Sequence, residues 1–66
     1  MQVVINGESR AVDRGIRVSE LLVHLGLLRD GVAVAVNGDV IPRGAHGGHS
    51  LEPGDRVEII QAVGGG

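Results

Sequence analysis

The chain has 66 residues, a formal net charge of −2 at pH 7, and no cysteine, phenylalanine, tyrosine or tryptophan. A chain of this length forms one small domain, and its thin aliphatic core cannot enclose a deep catalytic cavity. Because aromatic side chains are missing and the six basic residues, all arginine, are scattered, we expect no nucleic-acid partner. The lack of cysteine excludes a disulfide, a thiolate metal site and a cysteine nucleophile.

The sequence contains no apolar run near the roughly 18 residues that a membrane-spanning helix needs. Its first residues are typical of a strand rather than of a signal peptide. We therefore expect a cytoplasmic protein without a membrane partner.

The first part of the chain predicts a β-hairpin. Residues 2–6 are rich in β-branched side chains. Asn6-Gly7 is a pair that a type I′ turn prefers, because both central residues of that turn take positive φ. Residues 8–13 return as a mostly polar strand, which indicates the edge of a sheet.

Apolar residues then recur at helical spacing and predict a short helix over residues 19–25. Ser19 is the expected N-cap, and Gly26 is the expected residue just after the helix, where a positive φ is common. The expected apolar face consists of Val18, Leu21, Leu22 and Leu25.

A second hairpin is predicted after the helix. Residues 31–36 alternate in side-chain size, so they form a strand with a heavier valine face. Asn37-Gly38 is a second type I′ signal, and residues 39–41 return as a short strand that Pro42 ends.

The last part of the chain begins with a glycine-rich loop over residues 43–50. Pro53-Gly54 predicts a type II turn, and residues 57–63 then predict a strand. The order of elements indicates an α+β fold, the ubiquitin-like β-grasp, with β-β-α-β-β-β order. We expect a mixed sheet of about five strands, the first and last lying side by side in parallel, and one helix on one face.

The sequence closes with Gly64, Gly65 and Gly66, which we expect to be a flexible tail after a domain of residues 1–63. Such a run can also be an unstructured end or the remnant of an expression tag. As a functional element it is a thin thread that fits a narrow slot and ends in a carboxylate. That carboxylate is ionised at pH 7 and unreactive, so another protein would have to activate it, most simply as a mixed anhydride with AMP.

The side chains show no arrangement typical of catalysis, so we predict no catalytic residues, no metal site and no bound cofactor. His46 and His49 could bind a metal only weakly, and a solvated loop is the favoured interpretation. His24 is expected on the flank of the helix. The aspartates lie at turns, where their side chains bond the local backbone.

Three segments together resemble the ThiS family, the sulfur carriers of thiamine biosynthesis. They are Val36-Asn37-Gly38 with Ile41-Pro42-Arg43, the run Pro53-Gly54-Asp55-Arg56-Val57-Glu58, and the ending Gln61-Ala62-Val63-Gly64-Gly65-Gly66. The resemblance covers the whole chain, and the ending is its most specific part.

This resemblance implies a carrier rather than an enzyme. A ThiF-like adenylyltransferase, using ATP and Mg²⁺, would adenylate Gly66. Sulfur from a cysteine desulfurase or another donor would displace AMP and leave a thiocarboxylate on Gly66. Thiazole synthase (ThiG) would then take the sulfur into the thiazole ring, with Gly64 and Gly65 entering the active sites of both partner enzymes.

Two alternatives stay open at this point. One is a carrier of the same mechanism for molybdopterin or amino-acid biosynthesis, although the proline-rich approach to the glycines expected there is missing. The other is a ubiquitin-like protein modifier. Since the chain has no lysine, it could not form isopeptide-linked chains on its own side chains.

A docking surface is expected on the sheet face that the helix leaves uncovered. The candidates are Val4, Glu58, Ile60 and Ala62, with Ile60 and Val4 forming a small exposed apolar patch. The alternative is that the loop over residues 43–50 covers part of this face.

Overall fold

The computed structural model describes residues 1–61. Within that range the chain forms a five-stranded sheet, a seven-residue α-helix and a short 3₁₀ helix. In chain order these are β1 (Gln2–Ile5), β2 (Glu8–Ala11), α1 (Val18–His24), β3 (Val32–Val36), β4 (Asp39–Ile41), the 3₁₀ helix (Arg43–Ala45) and β5 (Arg56–Gln61).

The sheet has the strand order β2-β1-β5-β3-β4. β1 and β5 are parallel, with Val4 beside Arg56 and Ile5 beside Val57, and the other neighbouring strands are antiparallel. The predicted adjacency of the first and last strands is therefore confirmed. β5 is the central strand and joins the two hairpins into one sheet.

Both hairpins turn at the predicted Asn-Gly pairs. Asn6 has φ 49° and Asn37 has φ 51°, and the glycine after each has φ 85° and 87° respectively. Positive φ at both central positions is the type I′ geometry, which matches the twist of the flanking strands.

The helix begins at Val18, with Arg17 as N-cap, so the prediction of Ser19 in that role is wrong. The reason is tertiary: the Val18 N–H donates to the His49 carbonyl at 3.0 Å, and the Ser19 N–H donates to the His46 carbonyl at 3.1 Å. Because the loop carbonyls bond these N–H groups, which have no partner within the helix, a side-chain cap is not needed. Glu20 adds a local bond, accepting from the Arg17 N–H at 2.9 Å.

α1 ends at His24, one residue before the predicted end, with Leu25 as C-cap. Gly26 follows the C-cap as predicted, with φ 71°. The Leu27 N–H donates to the Leu22 carbonyl at 2.8 Å, and the Gly26 N–H donates to the Val23 carbonyl at 3.1 Å. This pair of bonds is a Schellman motif. It turns the chain so that Leu27 packs against the core.

The core lies between α1 and one face of the sheet. The predicted valine face of β3 is confirmed, with Val34 and Val36 buried and Val32 half-buried. β2 is exposed throughout, as expected for an edge strand. The buried apolar side chains are Val3, Ile5, Ile16, Val18, Leu21, Leu22, Val34, Val36, Leu51, Val57 and Ile59.

Several sequence-based bounds differ from those of the structure, most of them by one or two residues. The last strand was expected over residues 57–63, whereas β5 is Arg56–Gln61 and the remaining residues, 62–66, lie outside the described range. The expected loop over residues 43–50 contains the 3₁₀ helix, because Pro42 favours the entry into a tight turn and the Ala45 N–H donates to the Pro42 carbonyl at 2.8 Å.

A matched pair of substitutions tests this one-sided core. Val34→Ala should lower the free energy of unfolding by about 2 kcal/mol, because Val34 is 1% exposed and its truncation leaves a cavity. Val40→Ala makes the same change on the neighbouring strand, where the side chain is 74% exposed, and should cost less than about 1 kcal/mol. Urea unfolding measures both free energies. Equal losses of unfolding free energy in the two variants would contradict a sheet that is buried on only one face.

Candidate functional site

The sheet face opposite α1 is the candidate docking surface. Side chains alternate along β5, so Val57 and Ile59 enter the core while Arg56, Glu58 and Ile60 point to the other face and are exposed. Ile60 is 64% exposed, which is unusual for a large aliphatic side chain in a central strand. The helix leaves this face uncovered, as the sequence predicted.

The strand register defines the neighbours of Ile60. Ala33 lies opposite Ile60, and Ala35 lies between Glu58 on one side and Val40 on the other. Both alanines have small side chains, so Ile60 and Val40 stand above them. We call Ile60, Ala33, Ala35 and Val40 the apolar strip.

The predicted pairing of Ile60 with Val4 is wrong. Val4 lies beside Arg56, which is four residues before Ile60 and therefore about 13 Å away along the strand. Val4 and Glu58 still lie on the open face, Val4 half-buried and Glu58 exposed. The fourth predicted docking residue, Ala62, lies outside the described residues.

The loop over residues 43–50 does not cover the apolar strip. Its carbonyls at His46 and His49 bond the first turn of α1, which places the loop at the helix end of the core. Ile60 and Val40 remain open to solvent. The alternative in which this loop shields the sheet is therefore wrong.

His46 also departs from the prediction of a solvated loop residue. It is 7% exposed, and its Nε2 lies 3.0 Å from the Ile41 carbonyl oxygen. His46 is the C-cap of the 3₁₀ helix, so its ring is a buried part of the fold and not a solvated group. Its neighbour His49 is half-buried.

Residues 1–61 contain no group of three or more His, Cys, Asp or Glu side chains placed to hold a metal ion. A cleft of about 210 Å³ between β2 and α1 carries Arg10, Asp13 and His24 on its rim, but all three are exposed and not joined by any hydrogen bond within this range. Each of the helices in the same range also falls short of the length and apolar character needed to cross a bilayer.

The predicted tail residues Gly64, Gly65 and Gly66 lie outside the described residues. The last described residue is Gln61, which pairs with Val32 on β3 and accepts a hydrogen bond from the Arg29 guanidinium. β5 therefore ends, within the described residues, at the end of the sheet where β3 begins. The role assigned to the tail stays a prediction from the sequence.

The contribution of β3 and β4 to the open face was not predicted from the sequence. Only the cross-strand register brings Ala33, Ala35 and Val40 into the site, and this register is not evident from the residue pattern. The signal that could have identified them is the two-residue turn at Asn37-Gly38, because it fixes the pairing of Ala35 with Val40.

These features define a class of protein. The fold is the ubiquitin-like β-grasp. It has a mixed sheet with parallel first and last strands, one helix on one face, and a central strand that leads into the C-terminal segment. The sequence model of the ThiS family matches residues 3–66, and the chain belongs to that family.

Similar proteins of known sequence agree with this assignment. The chain is 32% identical to the sulfur carrier protein ThiS of Escherichia coli over 66 residues, which covers both chains completely. It is 36% and 35% identical to thiazole synthases of Paramagnetospirillum magneticum and Magnetococcus marinus. The chain spans about a fifth of the length of those two proteins, 20% in each case.

Solved structures support the fold. A crystal structure of the thiamine biosynthesis protein ThiS from Geobacter metallireducens superposes with a TM-score of 0.84 at 35% identity, covering both chains completely. A solution NMR structure of a thiamine biosynthesis protein from the same organism gives a TM-score of 0.82 and is covered over 88% of its length.

The buried position of His46 gives a testable consequence. His46→Ala should lower the free energy of unfolding by about 1–3 kcal/mol, because it removes the ring from the core and leaves the Ile41 carbonyl without this partner. His49→Ala, in the same loop, should cost less. Thermal unfolding of both variants measures the difference, and a larger loss at His49 would contradict the structural role of His46.

Proposed function

We propose that this chain is a sulfur carrier of thiamine biosynthesis, and that Gly66 holds the sulfur as a thiocarboxylate. The observation that carries the proposal is the family match over residues 3–66, which includes all three glycines. The full-length similarity to the E. coli sulfur carrier supports it. The chain acts as a carrier and co-substrate, with the chemistry supplied by partner enzymes.

The chemistry begins with activation of an unreactive group. An ionised carboxylate resists attack by a sulfur nucleophile, so a ThiF-like adenylyltransferase first joins the Gly66 carboxylate to AMP, using ATP and Mg²⁺ and releasing pyrophosphate. Where the donor supplies sulfide, the sulfide then attacks the acyl carbon, AMP leaves, and the product is the thiocarboxylate. Where the donor is the persulfide of a cysteine desulfurase, the same attack releases AMP and leaves an acyl disulfide on Gly66, which a thiol reductant cleaves to the thiocarboxylate. We assign these steps to the cytoplasm.

The tail suits this task because of its length and its lack of side chains. The five residues after Gln61 span at most about 18 Å when fully extended. Gly64, Gly65 and Gly66 present no side chain to the walls of a narrow active site. Recognition by each partner must therefore come from the folded body.

The apolar strip on the open sheet face is our candidate for that recognition, together with Glu58 beside it and Val4 farther along the same face. Its member Ile60 lies on β5, the strand that precedes the tail, so a partner bound there is close to the point where the tail begins. Exposed aliphatic side chains lose water-accessible apolar surface when a partner covers them, which favours binding.

The thiazole synthases of the two bacteria named above support thiazole synthase as the sulfur acceptor. In each, a segment similar to this chain forms part of a protein that bears that name. A carrier and its acceptor on one polypeptide are held at high effective concentration, which is useful only if the two work together. We therefore propose a thiazole synthase of the ThiG type as the second partner.

Sulfur loading is the direct test. The chain, incubated with a ThiF-like adenylyltransferase, ATP, Mg²⁺ and a sulfur source, should gain the mass expected for exchange of one oxygen for one sulfur, measured by intact-protein mass spectrometry. A variant with one alanine added after Gly66 keeps the same fold and should gain nothing.

Equal mass gain in the extended variant would place the sulfur elsewhere and contradict the role of Gly66. Transfer of the loaded sulfur to a molybdopterin-type synthase rather than to thiazole synthase would assign the carrier to the alternative pathway. Attachment of Gly66 to lysines of other proteins would identify a modifier.

The apolar strip can be tested with two truncations of exposed aliphatic side chains. Ile60→Ala should weaken binding to the adenylyltransferase roughly tenfold, because truncating a central apolar contact often costs more than 1 kcal/mol. Val23→Ala removes a side chain of similar exposure, 59%, on the helix side and should leave the affinity unchanged. Isothermal titration calorimetry measures both, and a larger effect at Val23 would move the docking surface to the helix.

A further inference from the structure

The end of β5 is paired unequally on its two sides. β3 pairs with it from Val57 to Gln61, whereas β1 pairs with it only as far as Val57. β1 stops there because the chain turns away at Asn6-Gly7. Beyond Val57, β5 is therefore an edge strand on the side of β1, and its backbone groups on that side have no strand partner.

The side chain of Asn6 fills this gap. Its amide oxygen accepts a hydrogen bond from the Ile59 N–H at 2.8 Å, and its amide nitrogen donates to the Ile59 carbonyl at 3.2 Å. Its backbone N–H also donates to the Val57 carbonyl at 2.9 Å. Because alternate residues of a strand direct their backbone groups to the same side, Ile59 faces β1 as Val57 does. The Asn6 side chain therefore occupies the place of a further β1 residue.

Asn37 is a matched counterpart at the other end of β5. It occupies the same position of the same turn type, and its side-chain oxygen accepts from the Arg56 N–H at 2.9 Å. Its backbone N–H donates to the Arg56 carbonyl at 2.7 Å. Asn37 thus fixes the start of β5, while Asn6 fixes the part that leads into the tail.

We propose that Asn6 is a positioning residue for the tail. By holding both backbone groups of Ile59, it keeps the last part of β5 in the sheet and so limits the length of the segment that is free to reach a partner. This inference rests on the proposed function of Gly66.

The physical consequence of losing this contact follows from chain dimensions. If β5 separated from the sheet back to Ile59, the free segment would gain three residues, about 10 Å when extended. The terminal carboxylate would then sample a larger volume around a partner bound to the open face. In fewer of the bound complexes would the carboxylate be in the reactive position.

The two asparagines provide the experiment, performed on the full chain. Asn6→Gly and Asn37→Gly both keep a residue that accepts positive φ, so both retain their turns and raise the entropy of the unfolded chain equally. Asn6→Gly should speed amide hydrogen exchange of Ile59 roughly 2- to 10-fold more than that of Arg56, and Asn37→Gly should show the reverse. Equal acceleration of both amides in each variant would overturn the assignment.

Asn6→Asp provides an intermediate variant and replaces Asn6→Gly if that variant does not fold. The aspartate can still accept from the Ile59 N–H but cannot donate to the Ile59 carbonyl. The rate of Ile59 amide exchange in Asn6→Asp should lie between the rates in the wild type and in Asn6→Gly. An Ile59 exchange rate equal to that of the wild type would overturn the need for both hydrogen bonds.

Sulfur loading separates positioning from simple destabilisation. At a temperature where both glycine variants are folded, Asn6→Gly should lower kcat of the adenylyltransferase for the carrier roughly tenfold with little change in KM, because docking is intact and the tail is misplaced. Asn37→Gly should leave kcat unchanged. Equal kcat in the two variants would overturn the positioning role alone, whereas a wild-type chain that takes up no sulfur would overturn the proposed function as well.

Discussion

The parallel pairing of β1 with β5 is the contact on which the rest of the structure depends. It brings two segments more than 50 residues apart into one sheet, with Ile5 beside Val57. Without it the sheet would divide into the β1-β2 hairpin and a three-stranded sheet of β5, β3 and β4, and an isolated hairpin is at best marginally stable in water. The Asn6 side chain reinforces the same junction through Ile59, where the sequence separation is 53 residues.

Because β5 is the central strand, its alternating side chains supply both the core and the open face of the sheet. Val57 and Ile59 complete the aliphatic core under α1, while Glu58 and Ile60 face outward beside Ala33 and Ala35. A small domain buries only about 60% of the surface of its unfolded chain, so it has little interior from which to build an active site. A protein of this size can instead present a reactive chain end and an exterior surface to larger enzymes, and that is the role we propose for it.

The loop over residues 43–50 shows how a segment with little regular structure can stabilise its neighbour. Its His46 and His49 carbonyls accept the N–H groups of Ser19 and Val18 at the start of α1. The buried His46 ring in turn lies within hydrogen-bonding distance of the Ile41 carbonyl at the end of β4. The helix start, the loop and β4 therefore form one hydrogen-bonded unit, and the open sheet face is left free.

The sequence alone determined the order of the strands and the α-helix, both Asn-Gly turns, the glycine that follows the helix, and the choice of fold. These features depend on local physics: positive φ at the turns and the helix end, and the period of the apolar pattern. It also contained the glycine ending on which the proposed chemistry rests. The tertiary structure decided the start of the helix, the burial of His46, and the composition of the apolar strip from Ala33, Ala35, Val40 and Ile60. Each of these depends on which distant backbone groups or strands become neighbours, and cross-strand register and loop packing are set only when the whole sheet has formed.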